Sequence, residues 1–229
     1  WDIPFTGFFY DDTTTRLIQH FSHRSHEHEP IQALTRLCLH FPEHPDYPKW
    51  RYAVALYTDY MKRAYAYTAP YFVAPASIYH EDEAFHDKEY DMGMIQQFIK
   101  DEDERRENYR QQVQNGVPLG KGYFLRKLPV AFAHRGNHAL TLSGGQAVAE
   151  IAVLTDDFSL SELAQRQKEW IVGRNPFAES VMFGEGYDYC SEYAVLPGEM
   201  VGELGVGFAC LDEHDAPFWP QVNTCVYKE

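Results

Sequence analysis

With 229 residues, 45% of them hydrophobic and 15% aromatic, the chain is long enough to bury a substantial core and too rich in Trp, Tyr and Phe to remain disordered. Its 34 acidic and 20 basic side chains leave a net charge of −14, which argues against nucleic acid and anionic membranes as partners, because phosphate would be repelled over most of the surface. No apolar run reaches the ~18 residues of a membrane span, and the richest, from Tyr65 to Tyr79, is broken by Pro70 and Pro75.

The first residues carry no basic-then-apolar leader, so no signal peptide is read. The chain opens at Trp1 without an initiator Met and closes at Glu229 in a stretch that reads as structured, which predicts a processed or partial chain. Four cysteines (Cys38, Cys190, Cys210 and Cys225) show no CxxC spacing, so a structural zinc site is not expected and plain buried thiols are favoured over disulfides.

Taken in chain order, the periodicity is helical. Ile31, Leu34, Leu37, Cys38 and Phe41 recur at three and four, and Pro42 stops the pattern. Trp50, Val54, Tyr57, Met61 and Tyr65 define a longer helix closed by Pro70. A third starts near Asp91 with Met94, Ile95 and Phe98 and runs into the charged stretch Asp101 to Glu107, read as a solvated helix face. Leu140, Gly144, Ala147, Ile151 and Leu154 mark a fourth, where Gly144-Gly145 lowers helix propensity by ~1 kcal/mol each and so points to close packing against a neighbour. The fifth runs from a capping box at Ser159 and Glu162 through Leu160, Leu163, Ala164, Trp170 and Ile171 to Gly173 and Asn175-Pro176. Between them lie long aromatic stretches, at 71–90, 115–138 and after Arg174, with no convincing strand alternation. The expected fold class is therefore all-α: helical hairpins with long loops, which in a compact domain are usually functional.

Four segments carry residues suited to chemistry. The first, His20 to Glu29, holds His20, His23, His26, His28, Glu27 and Glu29 ahead of a helix; it reads as a polar, ligand-facing loop rather than a metal site. The second, His134-Arg135-Gly136-Asn137-His138, combines neutral imidazoles able to accept a proton with an arginine fork suited to a carboxylate. The third, Phe183-Gly184-Glu185-Gly186-Tyr187-Asp188-Tyr189, sets acids and sugar-stacking rings among glycines. The fourth is the closing stretch from Phe218 and Trp219 to Glu229, where an acid among aromatic residues can keep its proton to higher pH and act as a general acid. No metal and no cofactor is called for.

The order of Trp170 to Ser180, the Gly184 to Tyr189 loop, Leu196-Pro197-Gly198-Glu199-Met200-Val201-Gly202 and the closing Asn223-Thr-Cys-Val-Tyr-Lys-Glu229 resembles the C-terminal part of bacterial proteins related to the family 9 glycoside hydrolases, in the six-hairpin glycosidase superfamily. The resemblance spans roughly residues 138 to 229, with a looser fit around the His-Glu-His-Glu segment. It implies an (α/α)6 toroid, here a single domain over 1–229 or the C-terminal part of one, with an active-site cleft among loops at one end. It also implies a catalytic acid at Glu229 and a periplasmic or secreted setting, with further domains possible upstream in the parent chain. The family's Asp-rich base motif has no counterpart here, Asp11-Asp12 being the nearest, and the histidine motif after Asn-Pro is replaced by the Gly184 to Tyr189 loop. The second carboxylate then lies upstream of Trp1 or is Asp188 or Glu185.

Three functions are carried forward. The first is hydrolysis of a glycosidic bond in an oligo- or polysaccharide by two carboxylic acids, with Glu229, Glu185, Asp188 and His138 as candidate catalytic residues and His26, His28, Arg135, Asn137, Tyr187, Tyr189 and Trp219 as candidate substrate contacts. The second is β-elimination from a uronate-containing glycan, with His138, His134 or Tyr187 taking the C5 proton and Arg135 and Asn137 neutralising the carboxylate. The third is carbohydrate binding without turnover. In each, the loops at 20–29, 71–80, 134–138 and 183–189 and the closing segment are expected on one rim, bringing together Glu27, His26, His28, His138, Glu185, Asp188, Glu229 and the rings of Tyr79, Tyr187, Tyr189 and Trp219.

Overall fold

The computed structural model of the chain describes residues 6–10, 18, 28–86, 99–130, 138–189, 201–204, 209–210 and 214–218, with the backbone alone at 209, 210 and 218. Its elements are α1 (Glu29–His40), α2 (Tyr47–Ala66), β1 (Ser77–His80), α3 (Glu83–His86), α4 (Glu102–Gln114), β2 (Val117–Gly120), β3 (Tyr123–Arg126), α5 (His138–Thr155), α6 (Phe158–Ile171), β4 (Ala209–Cys210) and β5 (Pro217–Phe218).

Four helices form the main layer as two antiparallel hairpins, α1 with α2 and α5 with α6, joined where α1 packs on α5. The direction of that junction is fixed by side chains. His28 and Gln32 of the α1 start meet Ser143, whereas Arg36, farther along, meets Glu150 through a bond of 2.6 Å. Advancing along α1 thus advances along α5, and the two run parallel. Gln167 near the end of α6 bonds Phe72 and Ala74, just beyond the end of α2, while Lys62 bonds Asp157 at the start of α6. Helices α2 and α6 therefore also run alike. The starts of α1 and α5 and the exits of α2 and α6 consequently share one end of the layer.

The helical stripes explain the packing. Val54, Tyr57, Met61 and Tyr65 are buried in α2, as are Leu140, Gly144, Ala147 and Ile151 in α5 and Leu160, Ala164, Trp170 and Ile171 in α6. A Cβ added to Gly144 would lie 2.7 Å from Tyr65 Oη and 3.0 Å from Ala74 Cβ, and one on Gly145 would lie 2.9 Å from Gln167 Cβ. The glycine pair is there for close approach, as its place in the stripe suggests.

The all-α expectation is corrected by a three-stranded antiparallel sheet, in the order β1-β3-β2, inside the stretches read as loops. Its strands are four residues each, too short for alternation to stand out, and Pro118 interrupts the pattern in β2. Ile78 pairs with Leu125 and both join the helix core; Tyr79 pairs with Phe124 and both face a second cluster with Tyr109, Val113 and Val130. Adjacent residues point to opposite faces, so the sheet is sandwiched between the helix layer and α4. The third helix is likewise displaced: α4 begins at Glu102, capped by the Asp101 carboxylate accepting from the Glu104 amide, and the acidic run is its exposed first turns. Residues 91–98 lie outside the described residues. The cap of α6 is Asp157, which accepts from the amide and hydroxyl of Ser159, rather than Ser159 itself. Near the end of the chain Asp215, its side chain 6% exposed, accepts from the Lys127 and Leu128 amides and faces Arg126 Nε at 3.7 Å, pinning the 214–218 segment to the sheet. No helix among the described residues is long and apolar enough to cross a membrane.

Candidate functional site

The shared helix end carries the described candidates. His28 immediately precedes α1, where its imidazole Nδ1 lies 2.6 Å from Ser143 Oγ of α5. It is 5% exposed, and burial pushes its pKa from the ordinary 6.5 down to about 4, so the ring is neutral at physiological pH. Tyr65 Oη and His28 Cε1 both stand against Gly144, which places the tyrosine hydroxyl, the imidazole and the bare helix backbone side by side. His138 is the first residue of α5 and is 1% exposed, sealed within the fold.

A pocket opens beside His28. The exit half of α2 supplies Tyr57, Tyr60, Met61 and Tyr65; the chain at 75–77 supplies one wall and Phe8 and Phe9 another. The volume available to water centres is about 20 Å³, room for one or two water-sized groups. Its walls are aromatic rings, aliphatic groups and neutral polar groups, the composition of small-ligand sites. The wall at 75–77 is held in place by Gln167, whose Oε1 accepts from the Ala74 amide and whose Nε2 donates to the Phe72 carbonyl.

The glycine-rich loop after α6 is built as a brace for exposed side chains. Asn175 Nδ2 donates to the carbonyls of Trp170 and Glu179, turning the chain as it leaves the helix. Val181 then bonds back to the Ile171 carbonyl and packs with Val73, Trp170 and Ile171. Gly184 and Gly186 take φ of +70° and +96°, a left-handed conformation that strains other residues. Bonds from Ser180 to Asp188 and between Phe183 and residues 202–203 close the loop. Glu185, Asp188 and Tyr189 are exposed, and Tyr187 is 99% so.

Thus His28, the 71–76 segment, His138 and the anchor of the 180–189 loop occupy the same helix end, His28 and Ser143 in direct contact. The acids at 185 and 188 face solvent, and the buried histidines face the interior. Tyr79 lies inside the sheet, 2% exposed with its ring centroid 6.5 Å from that of Tyr109, and presents no face to solvent. His26, Glu27, His134, Arg135, Asn137, Trp219 and Glu229 lie outside the described residues. Among the described residues no group of three or more His, Cys, Asp or Glu could hold a metal ion. The pocket tyrosines, Ser143 and Gln167 escape a reading by sequence, because Tyr57 and Tyr65 fit a core stripe and Ser143 and Gln167 sit in uninterrupted helices. Comparison with protein-family models, curated proteins and solved structures finds no match for the chain.

Proposed function

We propose that the chain is the catalytic domain, or the C-terminal part of one, of a carbohydrate-active enzyme that hydrolyses a glycosidic bond in an oligo- or polysaccharide. The observation that supports this most is the clustering of His28, its aromatic pocket and the braced loop of Glu185, Tyr187 and Asp188 at one end of paired helical hairpins. Two hairpins side by side with like helices parallel suit two units of an (α/α) ring, the arrangement that the resemblance to family 9 relatives implies.

In this reading one carboxylic acid protonates the leaving oxygen while a second activates water or attacks the anomeric carbon. Glu229 is assigned the acid and Asp188 or Glu185, unless the partner is supplied from upstream, the second role. Exposed Tyr187 and Tyr189 supply rings for the apolar faces of sugars, and a glycine-braced loop holds them at low entropic cost. Reducing-sugar release by the full-length protein on a polysaccharide panel is expected to fall by at least ~100-fold in Glu229→Gln, the scale of losing general acid catalysis. Equal release by the two proteins would remove Glu229 from the chemistry.

A further inference from the structure

We propose that the pocket beside His28 is a specificity subsite that admits one small uncharged substituent of the bound sugar, of the size of a hydroxymethyl group, and rejects a carboxylate. The proposal rests on the carbohydrate reading above and assigns that site a selective element of its own. Three observations carry it.

The first is size. Room for one or two water-sized groups matches the two heavy atoms of a hydroxymethyl arm and is too small for a whole ring. The second is the chemistry of the walls. None of the ten lining residues is a lysine, an arginine or an acid; phenylalanine, tyrosine, methionine, proline and alanine surround one imidazole and one serine. A carboxylate entering there would be desolvated without a cation to pair it, which is strongly unfavourable. The third is the state of His28. Its imidazole is packed against Gly144 and bonded to Ser143, and its burial keeps the ring uncharged, so it offers a neutral hydrogen-bonding group and not a counter-ion. These features also weigh against elimination from a uronate in this part of the site, since that chemistry needs the carboxylate neutralised. Ala76, with its neighbour Ile78 on the helix-facing side of β1, is the wall position where added bulk would fill the space.

The experiment uses the full-length protein and three oligosaccharides of one linkage that differ at C5: hydroxymethyl, hydrogen and carboxylate. Titration calorimetry is expected to give the hydroxymethyl sugar roughly tenfold tighter binding than the hydrogen analogue, with the carboxylate weakest of the three. The His28 ring resonances, assigned with a His28→Gln variant, should move with the first sugar and stay in place with the second. In Ala76→Val the preference for hydroxymethyl should vanish while affinity for the hydrogen analogue is kept. Equal binding of all three, tightest binding of the carboxylate, or an unchanged preference in a folded Ala76→Val protein would overturn the subsite and leave the carbohydrate reading standing. Failure of every sugar to bind would overturn both. The wild-type series decides even where the variant does not fold.

Discussion

Burial, rather than a neighbouring charge, determines what His28 can do. In the unfolded chain the imidazole titrates near its ordinary 6.5, whereas in the fold it resists protonation until about pH 4. The folded state therefore binds fewer protons across that window. Its stability is highest above pH 6.5, falls as pH drops toward 4, and is not reduced further by this group below that value. The gap corresponds to roughly 3 kcal/mol. Chemical denaturation between pH 7 and 4 should show this slope in the wild type and a flatter one in His28→Asn; the same slope in both would place the pH sensitivity elsewhere. The histidine-rich run marks His28 as polar and ligand-facing, but sequence could not separate it from His20, His23 and His26. What distinguishes it is a long-range contact, with Ser143 across 115 residues, and no local pattern encodes that. The buried carboxylate of Asp215, bonded to amides at 127 and 128, is hidden from sequence for the same reason.

Among the elements, the long helices are legible because each buries one stripe over three or more turns, enough repeats for the 3.6-residue period to stand clear. Tyr57, Met61 and Tyr65 fall on such a stripe and are buried as it requires. The sheet was not legible: a four-residue strand gives two inward positions, and Ser77-Ile78-Tyr79-His80 reads equally well as an aromatic loop. At the start of α6, Ser159 and Glu162 have the spacing of a capping box, yet Asp157 two residues earlier takes the capping role, supported by Lys62 from α2 and holding a carboxyl pKa of about 2. Gly144 gives the sharpest test of how helices meet. Helix propensity alone predicts that Gly144→Ala gains about 1 kcal/mol. The contacts at 2.7 Å to Tyr65 Oη and 3.0 Å to Ala74 Cβ predict the opposite, a net loss of roughly 1 kcal/mol or more, because overpacking outweighs propensity. Urea denaturation decides the sign, and a stabilised Gly144→Ala protein would mean that α5 and the 73–76 segment are packed less closely than described.

At the scale of the whole molecule, the account turns on polarity: like ends of two hairpins lie together, and the segments leaving them gather the aromatic and polar groups. The opposite end is occupied by the short connections at 41–46 and 156–157 and presents Phe41, Val153 and Phe158 to solvent. That the hairpins have a functional end was readable from the length and composition of the segments between helices, whereas the parallel pairing of α1 with α5 emerges only from Arg36 reaching Glu150 and His28 reaching Ser143. The most direct measurement is hydrogen–deuterium exchange of the full-length protein with and without a saturating neutral oligosaccharide. The account predicts slowed exchange in peptides covering 67–76, 138–145 and 172–189 and no change in those covering 41–47 and 153–158. Protection confined to the latter pair, or none anywhere at saturation, would contradict it.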